Sequence, residues 1–302
     1  MNRYQNPMQV WPDLQKHART VTLVRSGLQL HVYEAGSPDL PTALLIHGLG
    51  DEADTWRHVI APLATRFHVV ALDLPGFGRS DKSSRSYTAS FLCNTVLELL
   101  DTLSIAQAKL IGSSLGAVLS QFIGLEHAER VSGLVLIDGT LLAHKQPLNL
   151  TTLLFLVPGV GEWLYTRLRK NPQAAFETLR SYYADLDALP EKDRDFLFQR
   201  VNERVWSDDQ RRAYFSVLRN LAGWVTRQQR GLAARLARLQ VPTLVVWGEQ
   251  DQVMPVDNAR ALVDVQPSAK LVVLPGVGHL PQQESPDAVL CAILDDNRLR
   301  NG

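Results

Sequence analysis

Two short runs, Ala43-Leu44-Leu45-Ile46-His47 and Phe67-His68-Val69-Val70-Ala71-Leu72, are apolar along nearly their whole length instead of alternating with polar residues. A strand with one wet face alternates. A strand apolar on both faces must be covered above and below, as in a parallel sheet whose crossovers are helices. The rest of the chain repeats the pattern. A helical pattern covers Thr55–Ala64 and another Thr88–Leu103. Next come a strand at Ala108–Gly112, a helix at Leu115–His127 and a strand at Gly133–Asp138. Ahead of them Thr20–Arg25 and Leu28–Glu34 read as a hairpin around Ser26-Gly27.

From Thr140 to Arg238 the alternation stops. This stretch is helix-like throughout, with breaks at Pro147, Pro158-Gly159, Asn171-Pro172 and Pro190. The alternation then returns with a strand at Thr243–Trp247, a helix at Val256–Val265, a strand at Lys270–Leu274 and a helix from Pro286 to Leu294. The expected fold class is α/β, a mostly parallel central sheet with helices on both faces. Residues 1–139 and 239–302 form its core and 140–238 an inserted helical cap.

Composition narrows the function classes. Lys plus Arg and Asp plus Glu both number 31 in a chain of 302 residues, so no net charge draws it to nucleic acid or to an anionic membrane. The greasiest stretch, Leu148 to Val160, is cut by Pro158 and Gly159. It is shorter than the roughly 20 residues of a membrane span. The first twenty residues show no apolar signal region, and a cytoplasmic location is expected. Cys93 and Cys291 sit in apolar helical patterns and are expected to be buried small hydrophobes. No Cys/His cluster has metal-ligand spacing, so no metal and no other cofactor is expected.

The chemistry concentrates in Gly112-Ser113-Ser114-Leu115-Gly116, which follows a strand and opens a helix. This is the context of a nucleophile elbow, with glycines where side chains would not fit. A serine hydroxyl needs a base, and the base an orienting acid. Asp251 lies on the loop after Thr243–Trp247 and His279 on the loop after the following strand, in the order Ser, Asp, His. Loops at the carboxyl ends of parallel strands converge on one crevice. Asp138 also ends a strand and stays open as an alternative acid. Glu249 reads as a solvated loop residue, Ser113 as pointing elsewhere, and His47 as packing the early loop. The oxyanion of an acyl-transfer intermediate needs two N–H donors, here the backbone of Leu115 and of Leu49.

On these residues the chain resembles the α/β-hydrolase fold superfamily over nearly its whole length. The likeness takes in His47-Gly48, Asp73-Leu74-Pro75-Gly76-Phe77-Gly78-Arg79-Ser80, the Ser114 elbow, the Asp251 loop with Pro255, and Gly278-His279. The resemblance implies that Asp73 and Arg79 belong to a structural loop. It also implies that Ser114 sets the chain apart from the dehalogenases and epoxide hydrolases of the family, which carry Asp at the elbow. The expected activity is cofactor-free serine hydrolysis of a small-molecule apolar ester through an acyl-enzyme. C–C bond hydrolysis, perhydrolysis and slow-turnover ligand reception on the same triad are the alternatives. Phe155 and Trp163, in the apolar part of the insertion, are expected to line the acyl pocket. With no metal in this scheme, hydrolysis should survive EDTA and dialysis; loss of activity that Zn²⁺ or Mg²⁺ restores would contradict it.

Overall fold

The computed structural model describes Tyr4, residues 8–142 and residues 150–299. Pro147 and His144 lie outside the described residues. The strands are β1 (Ala18–Thr22), β2 (Gln29–Ala35), β3 (Thr42–Ile46), β4 (His68–Leu72), β5 (Ala108–Ser113), β6 (Val131–Ile137), β7 (Thr243–Gly248) and β8 (Ala269–Leu274). They form one eight-stranded sheet in the order β1-β2-β4-β3-β5-β6-β7-β8. Strand β2 is antiparallel to β1 and to β4. From β4 to β8 every pairing is parallel.

The core helices are α1 (Ile60–Leu63), α2 (Ala89–Thr102) and α3 (Leu115–Glu126). Between β6 and β7 lie α4 (Leu150–Leu156), α5 (Val160–Arg167), α6 (Pro172–Glu177), α7 (Glu191–Trp206), α8 (Asp208–Gln228) and α9 (Leu232–Arg238). The chain ends with α10 (Asp257–Val265), α11 (Pro281–Glu284) and α12 (Pro286–Asp295). Among the described residues no helix is long and apolar enough to cross a membrane.

Successive strand residues supply opposite faces of the sheet. Leu44, Ile46, Val70, Leu72, Leu110 and Leu134 pack into one core cluster with α2 and α3. Ala43, Leu45, Val69, Ala71, Ile111 and Val135 pack into the other with α1 and α12. Both faces are covered, which is why the central runs do not alternate. Part of the insertion has a core of its own, built from Ala175, Phe176, Leu179, Tyr183, Leu186, Leu197, Val201 and Val205. Its last part does not: Ala213, Val217 and Trp224 of α8 and Leu236 of α9 join the main core.

Two expectations need correction. The helix expected over Thr55–Ala64 is a 3-10 turn at Ala53–Trp56 followed by the short α1. Pro62 has no N–H and its ring would strike the carbonyl four residues earlier, so the helix starts afresh with proline in its first turn. Cys93 is buried but Cys291 is exposed. On α12 it is Val289, Leu290 and Ile293 that face inward, and Cys291 lies on the other side.

The loop after β4 is tied down by a buried ion pair. Asp73 accepts from the Ala53 N–H at 2.7 Å, the Arg79 N–H at 2.7 Å and Arg79 Nε at 2.9 Å. Arg79 also meets Asp54 at 2.5 Å. Burial by itself would raise the Asp73 carboxyl, but the Arg79 charge and the hydrogen bonds outweigh it and hold the pKa well below the carboxylate range. The pair therefore stabilises the fold above the unfolded carboxyl pKa of about 4, and that stability is lost as pH falls below it. Asp73→Asn should destabilise the protein by about 3–5 kcal/mol at neutral pH. In thermal melts its gap to wild type should narrow as pH drops below about 4.

Candidate active site

Parallel register brings the carboxyl ends of the central strands side by side. Ile46 pairs with Gly112, Ser113 with Ile137, Ile137 with Val246, and Gly248 with Leu274. The residues just past these ends are Gly48, Ser114, Asp138, Asp251 and His279. They share one edge of the sheet.

Ser114 has φ 53° and ψ −115°, a conformation that few non-glycine residues adopt. The close seating of α3 enforces it. A Cβ on Gly112 would stand 2.3 Å from the Gly116 carbonyl carbon, and one on Gly116 would stand 2.0 Å from the Ile46 oxygen. Neither position admits a side chain. The Ser114 N–H donates to Ile137 O at 2.8 Å. Ser114 is half-buried, whereas Ser113 is fully buried and its Oγ accepts from Gln282 Nε2 at 3.2 Å. Ser113 is thus engaged with α11 inside the fold.

Leu115 opens α3, and the first N–H groups of a helix have no carbonyl a turn earlier to receive them. Leu49 follows a glycine that lies against the serine: a Cβ on Gly48 would stand 3.8 Å from Ser114 Oγ. His47 positions this loop. Its Nδ1 bonds Gly48 O at 2.7 Å, and its Nε2 accepts the Leu74 N–H at 2.9 Å, so one nitrogen donates and the other accepts. Complete burial pushes its pKa down, in keeping with a neutral ring.

His279 Nδ1 bonds Asp251 Oδ2 at 2.7 Å, and both residues are buried. The other Asp251 oxygen accepts from the Val253 and Met254 N–H groups at 2.7 and 2.8 Å. Gly248 allows the histidine loop to approach, because a Cβ there would stand 1.9 Å from Gly278 O. Glu249, by contrast, is exposed. Asp138, Asp251 and His279 offer polar atoms all within 4.8 Å of one another. Two ligands on a tetrahedral metal sit about 3.3 Å apart at metal–ligand distances of about 2.0 Å, so a contact of 2.7 Å is a hydrogen bond with no ion between its atoms. Ser114 reaches this group through its backbone, bonded to Ile137 and touching Gly139 on either side of Asp138.

The insertion contacts the same edge. The Tyr182 carbonyl accepts the His279 N–H at 2.8 Å, and its ring lies 5.8 Å from the imidazole. The Tyr214 ring is what a Cβ on Gly50 would meet, at 3.1 Å. Arg204 bridges from α7 to Asp51 and, at 2.6 and 2.9 Å, to the two oxygens of buried Glu52. Glu284 accepts from the Gly278 and Ala184 N–H groups at 2.9 and 2.8 Å, tying the histidine loop to the insertion. Sequence reasoning missed Tyr182, Tyr214 and Arg204, since nothing in their spacing marks them. Phe155 is half-buried against Phe215, with ring centroids 5.8 Å apart. Trp163 is 56% exposed beneath the Arg167 guanidinium and is not drawn into the interior. A polar cavity of about 520 Å³ bordered by Gly78, Lys82, Trp206 and Gln210 holds none of the strand-end residues.

Comparison with known proteins agrees with the fold described above. A family model described as "alpha/beta hydrolase fold" matches residues 41–286. The 2-hydroxy-6-oxononadienedioate/2-hydroxy-6-oxononatrienedioate hydrolase of Comamonas testosteroni is 27% identical over 300 residues, 92% of this chain and 95% of that protein. The crystal structure of Cfl2 from Burkholderia cenocepacia superposes with a TM-score of 0.80 at 26% identity, covering 96% of this chain and 99% of that one. A bacterial membrane phospholipase A, also 26% identical, superposes with a TM-score of 0.70 over 94% of this chain and 87% of that one.

Proposed function

Since the chain belongs to the alpha/beta hydrolase fold family, we propose that it is a serine hydrolase of apolar carboxylic esters, with Ser114, His279 and Asp251 as its triad. The observation that carries the reading is the half-buried Ser114 on a strained elbow, at the same strand-end edge as a buried Asp251–His279 hydrogen bond of 2.7 Å. Ser114 Oγ attacks the ester carbonyl while His279 takes its proton, and Asp251 holds the imidazole in place and stabilises its charged form. The oxyanion is received by the Leu49 and Leu115 N–H groups. His279 returns the proton to the departing alcohol, and water activated by the same base releases the acid. The phospholipase A relative, whose printed name is that of an ester hydrolase, supports ester chemistry.

A second reading, cleavage of a C–C bond on the same triad, draws on the Comamonas relative and its printed substrates. Rates on an ester series and on a vinylogous diketone, measured side by side, separate the two. A diketone preferred by a large factor would replace the ester reading.

Residues 140–238 act in this proposal as a cap. Its support is the set of bonds that Tyr182, Arg204 and Glu284 make between the insertion and the strand-end loops. The acyl chain then meets the rings of Tyr182 and Tyr214 rather than Trp163, which revises the expected pocket.

Ser114→Ala should lower kcat by several orders of magnitude and abolish fluorophosphonate labelling, while Ser113→Ala keeps both within about tenfold. His279→Ala should be nearly as damaging as loss of Ser114, and Asp251→Asn should cost more than Asp138→Asn; label on Ser113, or the reverse acid ranking, would break the assignment. On p-nitrophenyl esters kcat/KM should rise from acetate to chains of about four to eight carbons, each methylene contributing up to about 0.8 kcal/mol. Tyr214→Ala should flatten that rise and Trp163→Asp leave it in place. An unmutated protein that prefers acetate has no acyl pocket under the cap.

A further inference from the structure

Asp138 is a fully buried carboxyl for which the mechanism above has no use. It sits one residue past β6 with φ 46°, a left-handed backbone that Asp and Asn tolerate better than other side chains. Its Oδ1 accepts the Gly248 N–H at 2.9 Å. Its Oδ2 is buried and finds no donor among the described residues. The charged or titratable groups that bear on it are Asp251 from the loop after β7, His279 from the loop after β8, and Glu284 from α11. An orphaned carboxylate oxygen beside a second carboxylate is a costly arrangement. One proton removes the cost, because it turns the orphaned acceptor into a donor.

Which partner holds that proton follows from the hydrogen bonds. Asp251 already accepts on both oxygens, from two backbone N–H groups and from the imidazole, so it has the donors that its neighbour lacks. Asp138 has a single N–H. Burial first, then the Asp251 charge, pushes the Asp138 pKa well above the carboxylate range.

We propose that Asp138 is a positioning residue that stays protonated at neutral pH and donates its O–H to the Asp251 carboxylate, fixing that carboxylate against His279. Its catalytic consequence rests on the serine-hydrolase reading; its protonation does not. Asn at this position keeps both hydrogen bonds, since its amide oxygen accepts from Gly248 and its NH₂ donates to Asp251. A truncated side chain keeps neither and leaves Asp251 to turn away from the imidazole.

The experiment pairs thermal melts with kinetics on wild type, Asp138→Asn and Asp138→Ala. Asp138→Gly serves as a second truncation, which a φ of 46° accepts without strain. A carboxyl whose folded pKa is raised binds a proton that the unfolded chain has already released above about pH 4, so wild type loses stability as pH climbs through the range. Asp138→Asn lacks that loss, and its Tm relative to wild type should rise steadily from about pH 4 to 8. A gap that stays flat or shrinks means Asp138 is ionised and overturns the proposal. In kinetics Asp138→Asn should keep kcat within about threefold, and the truncations should lower it by about tenfold or more with little change in KM. Asn as damaging as Ala or Gly would overturn the positioning role. Fluorophosphonate labelling of wild type keeps the two readings apart: failure to label Ser114 sinks the serine-hydrolase reading, while the melting series still decides where the proton resides.

Discussion

The arrangement depends on how closely α3 is seated on the sheet. Gly112 and Gly116 let the helix start where any side chain would collide with backbone, and that contact forces Ser114 into its strained conformation. Such strain costs on the order of 1–3 kcal/mol and persists only where the surroundings over-determine it. The covered sheet does so, because β5 is buried along its whole length between two strands in parallel register. The same seating points the unbonded N–H groups of the helix start toward the serine side of the elbow.

Around that joint, charge is managed by pairing rather than by exposure to water. Asp73 with Arg79, and Glu52 with Arg204, are carboxyl groups buried against guanidinium groups. Asp193 meets Arg57 at 2.5 Å and so fastens the start of α7 to the core. Glu52–Arg204 and Asp193–Arg57 each join a loop segment to α7 or its start, while Asp73–Arg79 closes the loop after β4 on itself, and in each case desolvation is offset only in the assembled fold. The carboxyls beside His279 differ, since among the described residues no cation faces Asp138 except the imidazole when protonated. A shared proton does there what a guanidinium does elsewhere.

Much of this was legible in the sequence. The unalternating runs at 43–47 and 67–72 announced strands covered on both faces, because buried surface on each side leaves no place for polar residues. The glycines around Ser114, and those before His279, announced close approach of backbones. Less legible was anything decided between distant segments. Cys291 looked like Cys93 because both sit in apolar helical patterns, and only the placement of α12 turned one outward. Trp163 looked like a pocket residue because it is aromatic and follows an apolar run, yet its ring ends beneath Arg167 and largely in solvent. Tyr182, Tyr214 and Arg204 gave no local signal, since their meaning lies in which loop they touch.

Local pattern and spacing thus determined by themselves the fold class, the strand-end positions of Ser114, Asp251 and His279, and the presence of a long helical insertion. These follow from the periodicity of burial and from turns that need glycine, both of which are written into neighbouring residues. Tertiary structure alone decided which carboxylate faces the imidazole, why Asp138 is left with an oxygen that has no donor among the described residues, and which rings of the insertion reach the site. Those outcomes depend on distances of a few ångströms between residues on separate elements, 28 positions apart for Asp251 and His279 and 110 for Asp138 and Gly248. Hydrogen bonding and desolvation vary steeply over that range, and sequence spacing does not measure it.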